Sequence, residues 1–190
     1  MYEKYLKYWS NSLGLAIRIL KLQGTSVVGF SHKILPQIQI ADVKVVEISQ
    51  HSDTRGNLWT VWAEDYNCGA SSDFVLDKVA ISKHNVLRGM HGDQKSYKYI
   101  TVLSGKVFFA LCDYRPLLAG IQTEKLICHS FELSAQEPLA IYVPPGVLNG
   151  HYVMSDDAVF FYKWRFNGTY PDADEQISVK WYDKRLDIDW

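Results

Sequence analysis

The chain has 190 residues, of which 47% are hydrophobic and 22% charged, and this composition is typical of one soluble globular domain with a full core. Its formal net charge of −1 excludes the broad basic surface that nucleic-acid-binding proteins use. No nucleic acid partner is therefore predicted, and any recognition of an anion has to be local.

The three cysteines, Cys68, Cys112 and Cys128, show no CxxC spacing. An odd number without that spacing argues against a disulfide framework or a zinc ribbon and favours a reducing, cytoplasmic location. Cys112 and Cys128 lie in alternating apolar runs, so we interpret them as buried, unreactive thiols.

Residues 1–37 differ from the rest of the chain and are predicted to form an N-terminal extension. The apolar residues between Leu13 and Leu22 are interrupted by Arg18 and Lys21, and the stretch is too short to span a bilayer. No membrane span is predicted. We expect a short amphipathic helix or an extension that packs on a partner subunit.

Residues 38–190 consist of short β-branched and aromatic runs separated by Gly, Pro, Asn and Asp, which predicts one all-β sandwich or barrel domain. The predicted strands include Val43 to Ile48, Leu58 to Trp62, Tyr99 to Leu103, Lys106 to Leu111, Leu139 to Val143 and Ala158 to Trp164. Ser104-Gly105 predicts a hairpin between the third and fourth of these runs. In the last run, alternation places Phe160, Tyr162 and Trp164 on one face.

Histidine, arginine, lysine and acidic residues gather around one glycine turn in the segment Ser82 to Asp93, and Lys95 and Lys98 follow. Such a cluster suits a site that binds an anionic substrate and moves a proton. His84 and His91 lack the one-residue-apart spacing with which two imidazoles on one strand face reach a single ion, and no carboxylate follows at a ligand-like position. No metal site is therefore predicted.

Several short motifs in a fixed order carry a resemblance to a known family. They are Asp53-x-Arg55-Gly56, Leu87-Arg88-Gly89-Met90-His91, Lys98, Gly105, Asp113-x-Arg115, Val143-Pro144-x-Gly146 and Phe161-Tyr162-Lys163. From about residue 43 to 190 the chain resembles the RmlC family, the dTDP-4-dehydrorhamnose 3,5-epimerases. The resemblance implies a cupin-like double-stranded β-helix, or jelly-roll barrel, that forms a homodimer and uses neither a metal nor another cofactor.

One branch of this family is more similar to the chain than the rest. The segments Ser82 to Asp93, Asn149 to Val153 and Arg185 to Trp190 resemble the epimerases of GDP-4-keto heptoses that act in bacterial capsule synthesis. The implied substrate is a nucleoside-diphosphate 4-keto hexose or heptose, and the implied role lies in making sugars for surface polysaccharides such as capsule or lipopolysaccharide.

The resemblance also implies roles for three catalytic residues. His91 matches the family's base, Tyr162 matches the tyrosine that returns a proton from the opposite face, and Lys98 matches the lysine near the 4-keto oxygen. These residue types suit the reaction, because a carbon beside a ketone is acidic and its enolate needs a base, an acid and a positive charge near the oxygen.

Five further residues are predicted to bind the substrate. Arg55 and Arg88 match arginines that contact the diphosphate or the sugar in the family, and a planar guanidinium suits paired phosphate oxygens. Trp59 lies in a region that contributes to the family's nucleotide pocket. Asn149 and His151 complete this set.

The chain departs from the family pattern in two places. Asn149 stands where the dTDP-sugar enzymes carry a histidine, and His151 replaces that histidine only if the loop has shifted; an amide cannot relay a proton at neutral pH. The family's aspartate that pairs with the catalytic histidine lies beyond the position of Trp190, so either Asp93, Asp113 or another carboxylate orients His91, or His91 is a weaker base than usual.

The predicted function is epimerisation of a nucleoside-diphosphate 4-keto sugar at C3, C5 or both. Two alternatives remain open at this point. One is a non-catalytic protein of the same fold that binds sugar nucleotides, and the other is a 3,4-ketoisomerase on the same barrel, although the paired histidines usual for that enzyme are not evident.

Overall fold

The computed structural model describes residues 32–63 and 73–190. The larger of its two facing sheets contains, in spatial order, β1 (His32–Ile34), β2 (Lys44–Ile48), β10 (Leu139–Val143), β7 (Ser96–Ser104), β12 (Asp157–Phe166) and β5 (Leu76–Lys83). The second sheet contains β13 (Ile177–Ser178), β6 (Leu87–Gly92), β11 (Val147–Val153), β8 (Lys106–Asp113) and β9 (Cys128–Ser134). A separate hairpin pairs β3 (Gln50–Asp53) with β4 (Gly56–Trp59), helix α1 spans Arg115–Leu118, and a 3₁₀ turn spans Ala173–Glu175.

The main core fills the space between the six-stranded and the five-stranded sheet. Ile100 and Ile141 project from the first sheet and Phe109 and Val153 from the second, and all four are fully or almost fully buried. Alternation along each strand supplies these inward-facing side chains. This arrangement confirms the predicted all-β jelly-roll barrel.

Outward-facing residues at the centre of both sheets are covered as well. On the six-stranded sheet, Tyr99 lies in a buried cluster against which Trp59 packs. On the five-stranded sheet, Leu148 and Leu186 belong to a third cluster that Trp190 partly covers. The strands at the centre of each sheet are therefore buried on two sides, and side chains that point between the sheets are held in fixed positions.

The turn at Gly105 joins the two sheets. Strand β7 pairs with β10 on one edge and with β12 on the other, whereas β8 pairs with β9 and β11. The hairpin predicted at Ser104-Gly105 is therefore wrong. Both edges of β7 are taken, so the chain leaves this sheet and enters the other one.

Two cysteines lie opposite each other on neighbouring strands. Cys112 of β8 pairs in register with Cys128 of β9, their Cα atoms are 4.1 Å apart, and the two form a disulfide. The interpretation of these residues as separate thiols is wrong. The β8–β9 register brings them together, and their separation of 16 residues carries no recognisable spacing signal.

Most of the predicted extension over residues 1–37 lies outside the described residues, and so does its expected amphipathic helix. The described part includes β1, which pairs antiparallel with β2. Within residues 32–63 and 73–190, no helix has the length and apolar character needed to cross a membrane.

Candidate active site

A cavity of about 340 Å³ opens between the two sheets. Lys98, Ile100, Tyr162 and Trp164 line it from the six-stranded sheet, and Arg88, His91, Asn149 and His151 line it from the five-stranded sheet. The cavity therefore brings together all three residues predicted to be catalytic and three of the five predicted to bind the substrate.

A β-bulge allows β6 to present two functional side chains to this cavity. Arg88 and His91 are three residues apart, and strict alternation would turn them to opposite faces of the sheet. In the pairing with β11, however, His91 lies opposite Asn149 and Arg88 lies opposite His151. Strand β6 thus has one more residue than β11 between these two pairs, which turns Arg88 and His91 the same way.

The bulge depends on glycine. Gly89 has a φ of +121°, and a Cβ added there would lie 2.4 Å from the Cα of Gly150 and 2.8 Å from the carbonyl oxygen of Asn149. Because β6 and β11 approach so closely, only a residue without a side chain fits at position 89. The Leu87-Arg88-Gly89-Met90-His91 motif therefore forms the bulge as well as supplying the side chains of Arg88 and His91.

Burial keeps both cavity histidines neutral. Burial, assisted by the charges of Lys98 and Arg88, lowers the pKa of His91 to about 4. The pKa of His151 is also lowered to about 4, mainly by burial and to a smaller extent by the charges of Arg88 and His91. His151 also stacks on Phe160 with ring centroids 4.4 Å apart. At neutral pH each imidazole thus has a free nitrogen lone pair with which it can accept a proton.

Lys98 is a buried cation beside His91. Its ammonium donates a hydrogen bond to Oδ1 of Asn149 over 3.1 Å. Burial lowers the pKa of Lys98 to about 8, Asp93 opposes this shift, and Lys78 adds to it. Lys98 therefore still carries its charge at neutral pH, and the amide of Asn149 fixes the direction of its ammonium.

The two remaining groups lie on different walls. Arg88 donates from Nε to Oγ of Ser82 over 2.9 Å, at the exposed rim of the cavity. Tyr162 is half-buried on the six-stranded sheet, between Phe160 and Trp164, whose ring centroids lie 6.0 and 6.2 Å from its own. Tyr162 and His91 thus approach the cavity from opposite sheets.

The two carboxylates expected to orient His91 have other partners. Asp93 accepts hydrogen bonds from the backbone amides of Lys95 and Ser96, and Asp113 binds the guanidinium of Arg115. Among the described residues, no carboxylate is hydrogen-bonded to His91. Asp93 and Asp113 are held by their local turns, so the expectation that either orients His91 is wrong.

Arg55 and Trp59 do not line this cavity. Arg55 is exposed in the β3–β4 hairpin and binds the carboxylate of Asp53 through Nε over 3.1 Å. Trp59 packs against the outer face of the six-stranded sheet.

Sequence reasoning missed seven residues that line the cavity. They are Lys78, Ala80, Ile100, Phe160, Trp164, Tyr170 and Gln176. Lys78 lies on β5, and alternation places it on the same side as Ala80 and Ser82, so a strand assignment for Leu76 to Lys83 gives the signal that finds it. Tyr170 and Gln176 lie after β12 in a segment without a strand pattern, and their sequence gives no comparable signal.

The described residues contain no group of three or more His, Cys, Asp or Glu side chains placed to hold a metal ion. The absence of a metal from the reaction stays a prediction.

Comparison with known proteins shows which family this chain is similar to. The sequence profile of the dTDP-4-dehydrorhamnose 3,5-epimerase family matches residues 37–190. The dTDP-4-dehydrorhamnose 3,5-epimerase of Escherichia coli K12 is 32% identical over 158 residues, which cover 80% of this chain and 82% of the relative.

Two solved structures share the fold. The dTDP-6-deoxy-D-glucose-3,5-epimerase RmlC of Legionella pneumophila, in complex with dTDP-4-keto-L-rhamnose, superposes with a TM-score of 0.72 at 28% identity, covering 84% of each chain. NovW of Streptomyces spheroides, a 4-keto-6-deoxy sugar epimerase, also gives 0.72 at 26% identity, covering 88% of this chain and 83% of its own.

Proposed function

The chain belongs to the dTDP-4-dehydrorhamnose 3,5-epimerase family, and on that premise we propose that it epimerises a nucleoside-diphosphate 4-keto sugar at C3, C5 or both. His91 removes the carbon-bound proton, Lys98 stabilises the enolate, and Tyr162 returns a proton to the other face of the ring.

The observation that carries this proposal is the position of His91 and Tyr162 on opposite sheets. A sugar ring held between the sheets presents one face to the imidazole on β6 and the other to the phenol on β12. Inversion of a carbon centre requires a proton to leave one face and another to arrive at the opposite face. A base and an acid on the same wall would exchange the proton without inverting the centre.

The ionisation of His91 and Lys98 supports their assigned roles. His91 is neutral at physiological pH, as a base must be, although a pKa of about 4 makes it a weak base in the empty cavity. A bound diphosphate offsets the charges of Arg88 and Lys98, which raises the pKa of His91 and strengthens the base when substrate is present. Lys98 is charged below about pH 8 and stabilises the developing enolate oxygen.

In this proposal Asn149 and His151 together take the place of one histidine of the family. Asn149 holds Lys98 through its side-chain oxygen. His151 lies two residues beyond Asn149 on β11, which pairs with β8 in unbroken register here, so alternation turns both side chains into the cavity without a shift of the loop. We assign Asn149 to positioning Lys98 and His151 to contact with the sugar.

We also propose which nucleotide, which sugar and which pathway the reaction involves. Similarity of the segments Ser82 to Asp93, Asn149 to Val153 and Arg185 to Trp190 to the GDP-4-keto-heptose epimerases favours a GDP-linked heptose and a role in capsule or lipopolysaccharide synthesis. A cytoplasmic location also stays a prediction. Because Cys112 and Cys128 form a disulfide, the cysteines no longer support that location.

A homodimer is also part of the proposal. Strand β5 is an edge of the six-stranded sheet, and its outward-facing Val79 and Ile81 are 59% and 65% exposed. An edge strand with exposed apolar side chains is stabilised when a second copy covers it. Arg55 and Trp59 lie outside the cavity of their own chain, which supports a role at the interface with the partner. Light scattering tests this, and a monomer at micromolar concentration contradicts it.

The test of the proposed reaction is proton NMR in deuterated water with dTDP- and GDP-linked 4-keto sugars. The proposal expects an inverted product that carries deuterium at C3, C5 or both. His91→Asn should abolish incorporation while largely retaining binding of the sugar nucleotide, and the exposed His84 offers a matched control, because His84→Asn should leave the rate unchanged.

The lack of a carboxylate partner for His91 among the described residues favours one alternative, a binding protein without turnover. Binding of the sugar nucleotides without deuterium incorporation selects that alternative. Movement of the carbonyl to C3 in the product selects the 3,4-ketoisomerase.

A further inference from the structure

A second pocket, which we call the outer pocket, lies on the outer face of the six-stranded sheet. Four neighbouring strands contribute Lys44, Tyr142, Tyr97 and Arg165 to it, in the order β2, β10, β7 and β12. The two tyrosine rings have their centroids 6.0 Å apart, and the cations lie on either side of them. The volume of the pocket is about 590 Å³, which is within the range of small-molecule sites.

Alternation along the strands separates the outer pocket from the active-site cavity. Arg165 follows Trp164 on β12, and Tyr97 precedes Lys98 on β7. Trp164 and Lys98 line the cavity between the sheets, so Arg165 and Tyr97 face the opposite side. The two pockets have no lining residue in common. A ligand in the outer pocket therefore does not occupy the place of the sugar substrate.

An aromatic ring orients the guanidinium of Arg165. Arg165 lies opposite Tyr97 in the β12–β7 register, and its guanidinium carbon is 3.7 Å from the centroid of the Tyr97 ring. Such a cation–π contact fixes the plane of the guanidinium without neutralising its charge. Nε of Arg165 is buried and has no hydrogen-bond partner among the described residues. The side chain therefore brings an uncompensated charge into the pocket.

Arg165 differs from most of the arginines that the structure describes. Arg55, Arg115 and Arg185 each bind the carboxylate of an aspartate two residues earlier in the chain. Within residues 32–63 and 73–190, the two arginines without a carboxylate partner are Arg88 and Arg165. Arg88 lines the active-site cavity, where the proposed substrate is an anion. An arginine left without an acid beside a pocket is suited to bind an anionic ligand there as well.

The other charged residues leave the outer pocket positive. Lys44 has no acidic partner in the part of the chain that the structure describes. Arg115 also lines the pocket, and its guanidinium binds Asp42 over 3.1 Å and Asp113 over 2.7 Å. Asp42 is the one carboxylate among the described lining residues, and it is taken by Arg115. The charges of Lys44 and Arg165 therefore remain uncompensated.

We propose that the outer pocket binds a small dianion, either a phosphate monoester or a dicarboxylate, through Arg165 and Lys44. A guanidinium donates two parallel hydrogen bonds to the paired oxygens of either group. Strands β2 and β12 are three strand spacings apart, about 14 Å, so the two side chains reach the ligand from opposite sides. Two uncompensated cations favour two negative charges over one. The amides of Gln94 and Asn167 line the same pocket and supply further donors. This site does not depend on the proposed epimerase reaction.

The test follows the side-chain Nε–H resonances of Arg165 and Arg88 by NMR while glycerol 2-phosphate or succinate is added at constant ionic strength. We expect the Arg165 resonance to shift and saturate, and the ligand that saturates it at the lower concentration identifies the preferred anionic group. Arg88→Gln should leave this titration unchanged, because Arg88 belongs to the other pocket.

Lys44→Gln provides the test of the second cation. It should bind the preferred ligand about 10-fold more weakly, because one charge-assisted hydrogen bond is lost. Lys83→Gln is the matched control, since Lys83 is an exposed lysine of the same sheet outside the outer pocket, and its variant should stay within about twofold of wild type. Thermal unfolding of each variant verifies that it is folded.

Three results would overturn the inference. One is an Arg165 resonance that does not shift, or that shifts in proportion to the ligand without saturating. Another is a shift of Arg88 alone, which would mean that these anions enter the active-site cavity instead. The third is an equal loss of affinity in Lys44→Gln and Lys83→Gln, which would show a general effect of charge. The proposed reaction is tested separately, by deuterium incorporation into a 4-keto sugar.

Discussion

The bulge at Gly89 can be tested by adding a single methyl group. In Gly89→Ala the new Cβ would lie 2.4 Å from the Cα of Gly150 and 2.8 Å from the carbonyl oxygen of Asn149. Both contacts are to backbone atoms of the paired strand, so no side-chain rotation relieves them. Either β6 and β11 separate or the bulge is lost, and each change turns Arg88 or His91 away from its present position.

Two energies contribute to the cost. An L-residue held at a φ of +121° is strained by about 1–3 kcal/mol. A backbone shift large enough to relieve the overlap costs a further 1–3 kcal/mol or so. The expected loss in the free energy of unfolding is therefore about 2–6 kcal/mol, a large part of the roughly 5–15 kcal/mol typical of a domain. A displacement of His91 by about 1 Å lowers the exchange rate about 100-fold even in protein that stays folded.

Gly120→Ala is the matched control. Gly120 has a φ of +78°, and a Cβ there would meet no atom within 4 Å, so its variant carries only the backbone strain, about 1–2 kcal/mol. Urea unfolding measures both variants, and deuterium incorporation into the substrate measures the site. If Gly89→Ala matches Gly120→Ala in stability and exchanges protons at the wild-type rate, the role given to the bulge is refuted.

Three further predictions concern ionisation and the cysteines. The pH profile of kcat/KM should show limbs near pH 4 and pH 8, because His91 must be neutral and Lys98 charged. The limbs of kcat should lie at higher pH, since bound diphosphate raises both pKa values, and identical limbs for both constants would contradict this. Between pH 6.5 and 4, His91 and His151 bind protons in the unfolded state but stay neutral when buried in the folded state. The free energy of unfolding should therefore fall as the pH falls, by about 2 kcal/mol per histidine at pH 5. Urea titrations in which His151→Asn loses as much unfolding free energy as wild type over this pH range would rule this out. Thiol titration of the unfolded, unreduced chain should find at most one free thiol and three after reduction, because Cys112 and Cys128 are paired; three thiols before reduction would disprove the disulfide.

The sequence predicted which residues meet in the cavity better than it predicted the connections between strands. His91, Lys98 and Tyr162 could be named because ordered motifs survive in the chain, and alternation along the last long run correctly turned Phe160, Tyr162 and Trp164 to one side. Ser104-Gly105 indicated that the chain turns there but not which strands β7 and β8 pair with, because strand pairing depends on which edges remain free elsewhere in the sheet.

Other features depend on register, which single-sequence patterns do not contain. The Cys112–Cys128 pair follows from the alignment of β8 with β9. The convergence of Arg88 and His91 follows from an extra residue in β6, and alternation alone would have separated them. Lys78 was missed for a simpler reason, since the run that contains it was not assigned as a strand.

The most direct test of the account is Tyr162→Phe in deuterated water. His91 and Tyr162 lie on opposite sheets, so removing the phenol hydroxyl should leave abstraction by His91 in place and prevent delivery from the other face. The account predicts that the variant incorporates deuterium into the 4-keto sugar with the original configuration retained. An inverted product formed at the wild-type rate would contradict it.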